Sequence, residues 1–143
     1  MKGFIEKYYP VFINLYTVWI LYMMFFAYGR HHFGDSRYQI LSVPFETIYQ
    51  LLRYFREYPL DNLTNLFGNI VLFVPYGFLG ILYRQLNSYL LLLLVFFIII
   101  NILEFSQYYF GRGFAEVDDV ILNTFGMSIG YIIYKKFFFI KDK

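Results

Sequence analysis

Apolar runs alternate with short polar interruptions along the chain. Asp, Glu, Lys and Arg are missing from Tyr8 to Gly29, Asn62 to Tyr83, Gln85 to Leu103 and Val120 to Tyr134. Crossing a hydrocarbon core at helical rise takes about 20 mostly apolar residues, so the first three runs are long enough to span outright. The fourth spans if Lys135 and Lys136 snorkel to one interface while Asp118 and Asp119 mark the other. The pattern therefore predicts transmembrane helices near Val11–Tyr28, Leu66–Tyr83, Tyr89–Tyr108 and Val120–Tyr134. Lys2 and Lys7 before an apolar run imitate a secretory signal. No small-x-small cleavage site precedes "RHHFGDSR", so the run reads as a retained first span.

Between the first two spans, "PFETIYQLLRYFREY" (Pro44–Tyr58) puts Phe45, Ile48, Tyr49, Leu52 and Phe55 on one helical face and Glu46, Gln50, Arg53 and Glu57 on others. This predicts an amphipathic helix, packed on the bundle or lying among headgroups, with Pro44 in its first turn and Pro59 as its end. Pro75 predicts a kink in the second span, because it removes a donor and crowds the Val71 carbonyl. Gly126 and Gly130 have the small-xxx-small spacing that lets helices approach closely, within the bundle or in a homodimer. The fold expected is all-α and integral to the membrane: four transmembrane helices and one interfacial helix in a single domain, 1–143.

Composition agrees, with 59% of residues apolar, 25% aromatic and 15% charged. Phe and Tyr recur at the proposed interfaces, as aromatic belts do. Without Cys there is no disulfide framework, thiolate nucleophile or Cys-based metal site. The net charge of +2 comes from scattered Lys and Arg with no basic stripe, which argues against nucleic acid as a partner. Lys2, Lys7, Arg84, Lys135, Lys136, Lys141 and Lys143 against Arg30, Arg37, Arg53, Arg56 and Arg112 bias both termini toward the cytoplasm.

That topology draws Asn65, Asn69, Glu104, Gln107, Arg112, Asp118, Asp119 and Asn123 to the outer boundary. Asn65 and Asn69 are one helical turn apart, as are Glu104 and Gln107, and Asp119 and Asn123, so each pair shares a face. A buried Glu104 is costly in a bilayer and by default marks a functional site. The bland alternatives are a salt bridge from Glu104, Asp118 or Asp119 to Arg112, or Asp118 and Asp119 as caps of the fourth helix. Arg112 with amide donors and a helix N-terminus suits a phosphate or carboxylate headgroup. The carboxylates with Asn also suit a hard divalent cation, but no spacing signature supports one, and no partner motif makes a ligand set of His31-His32, so neither metal nor cofactor is expected. Glu104 or Asp119 is the best base for any chemistry, although Ser106 has no activating partner.

Three blocks resemble the VanZ-like family of small bacterial membrane proteins: "VPFETI" (Val43–Ile48), "NLFGNIVLFVPYGFL" (Asn65–Leu79) and "EFSQYYFGRGFAEVDDVILNTFGMSIGY" (Glu104–Tyr131). The family often has an Asn just before its Pro-Phe motif, where this chain has "LSV". The resemblance points to Asn65, Asn69, Pro75, Gly77, Glu104, Gln107, Arg112, Asp118, Asp119, Asn123 and Gly126. It implies a link to reduced susceptibility to teicoplanin, a lipidated glycopeptide. The expected function is an outward-facing polar pocket that binds or masks an anionic envelope component, either a membrane lipid or a lipid-linked cell-wall precursor. The alternatives are an enzyme modifying such a headgroup and a structural accessory of another membrane protein.

Overall fold

A computed structural model of the chain describes residues 2–27, 40–41, 43–54, 59–112 and 115–139, with the backbone alone for a few of these, 59–65 among them. In order, the elements are α1 (Lys2–Phe25), β1 (Ile40–Leu41), α2 (Glu46–Arg53), α3 (Pro59–Phe73), a 3-10 helix over Val74–Ile81 and a 3-10 turn over Arg84–Asn87. They continue with α4 (Tyr89–Tyr109), β2 (Ala115–Glu116) and α5 (Val117–Tyr134), which runs on as a π-helical turn over Lys135–Phe139.

The helical reading holds, with three amendments. α1 begins at Lys2, well before Val11, and continues through Pro10. α2 is shorter than expected and starts after Pro44, with Phe45 at its N-cap; Phe55 to Tyr58 lie outside the described residues. β1 and β2 form a two-residue parallel ladder, Ile40 opposite Ala115 and Leu41 opposite Glu116, so the fold is not purely α. Among the described residues, two of the four expected spans meet the length and hydropathy of a membrane crossing as single helices, Gly3–Phe25 and Tyr89–Tyr109. Leu66–Ile81 is apolar but shorter, and the acids of α5 lie inside its first turn and lower its hydropathy.

α4 is apolar on its inner and outer faces alike and buries the polar side chains of Glu104 and Gln107 at one end. Its buried stripe is Leu92, Phe96, Ile100, Glu104 and Gln107, while Leu94, Phe97, Ile98, Ile102 and Phe105 are exposed. On α1, Tyr9, Ile13 and Ile20 are buried while Val11, Leu15 and Val18 face outward. A chain that hides Glu104 and exposes Ile102 fits a hydrocarbon surrounding.

α5 is the element against which the others are placed. A Cβ on Gly126 would stand 2.0 Å from the Ile70 carbonyl oxygen, and one on Gly130 1.9 Å from that of Val74. From the facing side, a Cβ on Gly77 would stand 2.1 Å from the Tyr131 nitrogen. The seam is backbone against backbone, so the Gly126/Gly130 face is occupied within the chain. Beside Pro75, where a kink was expected, the second run changes from α to 3-10 winding at Val74. α1 supports this break with two tyrosines: Tyr9 donates to the Pro75 carbonyl at 2.8 Å and Tyr16 to that of Leu72 at 2.8 Å. Ile20, Phe73, Leu92, Phe96, Ile100, Val120 and Met127 form the core, with Phe73 and Phe96 edge to face at 5.8 Å.

Gly126→Ala and Gly130→Ala are expected to destabilise the fold by about 1–3 kcal/mol each through overpacking. Gly68→Ala, where a Cβ meets nothing within 4 Å, is expected to be neutral. Thermal unfolding in detergent, read by size-exclusion fluorescence, checks both; equal midpoints for all three variants contradict the seam.

Candidate ligand-binding site

At one end of the bundle α4 ends and α5 begins, and α3 passes alongside, so polar side chains from three helices come together. α4 closes with a Schellman motif: Arg112 N–H donates to the Gln107 carbonyl at 2.7 Å and Gly111 N–H to that of Tyr108 at 3.1 Å. Gly111 has φ 63°, the left-handed conformation that glycine adopts without a Cβ penalty. This turn fixes where Arg112 leaves the helix.

Asp118 is 2% exposed, and its carboxylate is used structurally. It accepts from the backbone N–H of Phe45 at 2.5 Å and of Ile48 at 3.0 Å. It therefore caps α2, some 70 residues away in sequence, rather than its own helix. α5 has Glu116 at its N-cap with no side-chain hydrogen bond. The capped Phe45 has φ 67°, a strained value for a bulky residue, and its ring is exposed. Gln107 is likewise a tie: its Nε2 donates to the Met24 carbonyl at 2.8 Å, fastening the end of α1 to α4.

The remaining residues form the site proper. Asn69 Nδ2 donates to Asp119 Oδ1 at 2.6 Å, joining α3 to α5. Asn123 lies one turn beyond Asp119 and is 2% exposed, with its Oδ1 buried and accepting no hydrogen bond. Thr124 Oγ1 is buried in the same condition. An unmatched buried polar atom costs about 1–3 kcal/mol, so these two oxygens constitute capacity for a hydroxyl or amine donor. Glu104 is 5% exposed on the inner stripe of α4, and Glu104, Arg112 and Asp119 each have polar or electrostatic interactions. Ser106 Oγ donates to the Ile102 carbonyl at 2.6 Å, so its proton is committed to its own helix.

The residues expected from sequence thus divide. Asp118 and Gln107 hold α2 and α1; Asn69 and Asp119 form a pair; Asn123 presents an unused acceptor. The Asn65 side chain and His31-His32 lie outside the described residues. Thr124 was not among the expected site residues; a hydroxyl next to Asn123 in an apolar helix was the available signal. Among the described residues, no group of three or more His, Cys, Asp or Glu is arranged to hold a metal.

A family model described as VanZ/LLP1 matches residues 12–140. The chain belongs to the VanZ/LLP1 family. No curated protein and no solved structure matches it. The match spans every element of the VanZ/LLP1 chain from within α1 to the π-helical turn, so the polar end and the glycine seam fall within one family unit.

Asp118→Ala in the VanZ/LLP1 chain is expected to free α2. Losing two hydrogen bonds to a charged acceptor, at about 1.5–3 kcal/mol each, raises amide exchange over residues 46–53 at least tenfold. Asp119→Asn leaves that exchange unchanged. Hydrogen–deuterium exchange with mass spectrometry decides, and equal protection in both variants rejects the cross-chain cap.

Proposed function

We propose that the chain is a multi-pass protein of the cytoplasmic membrane, with four crossings and both termini cytoplasmic. Its outward polar end binds or masks an anionic cell-envelope component, a membrane-lipid or lipid-linked precursor headgroup, and so lowers teicoplanin susceptibility. The observation that carries the reading is the polar end itself, where buried Asn123 and Thr124 oxygens without donors lie on the helix that also carries the Asn69–Asp119 pair. Arg112 supplies the positive charge and the amide groups recognise headgroup hydroxyls.

Helix geometry supports four crossings. Leu66 to Phe73 in α winding and Val74 to Ile81 in 3-10 winding together rise roughly 28 Å, close to the ~30 Å hydrocarbon thickness. α5 with its π-helical turn is longer still. The exposed apolar side chains of α2, Phe45, Tyr49 and Leu52, suit a helix lying in the interface.

In a sensitive Gram-positive host at matched membrane levels, Arg112→Ala and Asp119→Asn are expected to lose teicoplanin protection to the empty-vector level, while Gly68→Ala keeps it. Vancomycin measured alongside separates lipoglycopeptide protection from a general envelope change. Protection retained in both site variants rejects the reading. A Glu104-dependent mass change in extracted envelope lipids would replace binding with headgroup chemistry.

A further inference from the structure

α1 and α4 are tied at the polar end by Gln107 and Met24, and below that tie a cavity of about 200 Å³ lies between them, with the 3-10 helix as its back wall. Its floor is sealed by Ile20, Phe73, Leu92, Phe96 and Ile100, each 6% exposed or less. Its rim is open: Leu21, Tyr83 and Ile99 are 36%, 59% and 50% exposed. Of the polar groups in the wall, Tyr76 donates to Thr17 at 3.1 Å, Thr17 to the Ile13 carbonyl at 2.7 Å and the Asn14 amide to the Pro10 carbonyl at 2.7 Å, while Tyr83 stands at the exposed rim. A ligand is therefore offered hydrocarbon and little else.

The slot's dimensions select the hydrocarbon. From Leu92 to Leu103, both lining it, α4 rises roughly 16 Å, about half the hydrocarbon thickness, which is the depth of one leaflet. It is narrow, buried at the back and open sideways between two helices long enough to cross a membrane. Leu103, at its upper end, immediately precedes Glu104 of the polar end.

We propose that this slot is a binding site for a single acyl chain of a bilayer lipid, entering laterally between α1 and α4. The proposal rests on the membrane placement of α1 and α4 given above, and the test separates the two. The full chain is reconstituted in phosphatidylcholine–phosphatidylglycerol vesicles carrying a lipid with a mid-chain diazirine, and photolabelled residues are mapped by mass spectrometry. Ile98 and Ile102, exposed on the outer face of α4, report contact with the bilayer.

Label is expected on those two residues and also on Phe96 and Ile100 of the floor. Val95→Trp fills the slot; displacing two chain methylenes lowers floor labelling roughly tenfold while outer-face labelling stays constant. Leu79→Trp fills it from the opposite wall and serves if Val95→Trp does not accumulate. Label on Ile98 and Ile102 with none on the floor, or floor label unchanged in a folded filled variant, overturns the slot and leaves the membrane placement standing. Absence of label from Ile98 and Ile102 overturns both.

Discussion

Three glycines place the backbones of α3, the 3-10 helix and α5 in direct contact, and the rest of the molecule is arranged around that contact. Where Gly126 and Gly130 lack a Cβ, carbonyl oxygens of Ile70 and Val74 take the space. Backbones this close pack without intervening side chains, so direct van der Waals contact holds the seam. The two sides of the seam use different spacings for one physical reason. On α5 the glycines are four apart, matching an α-helical face. On the 3-10 helix Gly77 and Gly80 are three apart, matching winding in which positions i and i+3 eclipse; Gly77 meets the α5 backbone, while the space at Gly80 is taken by the side chains of Asn87 and Tyr134.

That winding begins at Val74, beside Pro75, which has no N–H to give the backbone ladder. The tyrosines of α1 answer the difficulty by donating to the Leu72 and Pro75 carbonyls. The same device recurs at the other end, where Tyr131 donates to the Asn87 carbonyl at 2.7 Å and Tyr134 to its side chain at 2.8 Å. Several of the chain's tyrosines thus join an apolar ring to a hydroxyl that reaches a neighbouring element's backbone or side chain. α1, which has no glycine contact to the bundle, depends on such bonds and on Gln107, and the slot lies where they leave it separate from α4.

At the polar end, one set of residues serves two purposes. Asp118 and Gln107 spend their hydrogen bonds on holding α2 and α1, with the strained Phe45 stabilised by the first of these. Asn69, Asp119, Asn123 and Thr124 lie on the seam helices α3 and α5, and their mutual placement follows from the glycine contacts. A ligand that engages them would do so against a rigid background, because moving any one requires moving α5.

Much of this was legible in the charge-free runs. They located α4 and α5 to within a few residues, and the spacing of Glu104 with Gln107 and of Asp119 with Asn123 marked the polar face, because helical period alone decides which residues share a side. Pro75 marked the break. The sequence by itself determined the helical elements, their apolar outer faces and the residue types concentrated at one end. Only the tertiary structure decided the partner of each group: that Asp118 caps α2 instead of α5, that Gln107 reaches Met24, that the glycine seam is intramolecular, and that β1 meets β2. The hydrogen bonds among those pairings join residues 70 to 83 positions apart, and local periodicity carries no information about which distant backbone will bring its unpaired N–H or C=O within reach.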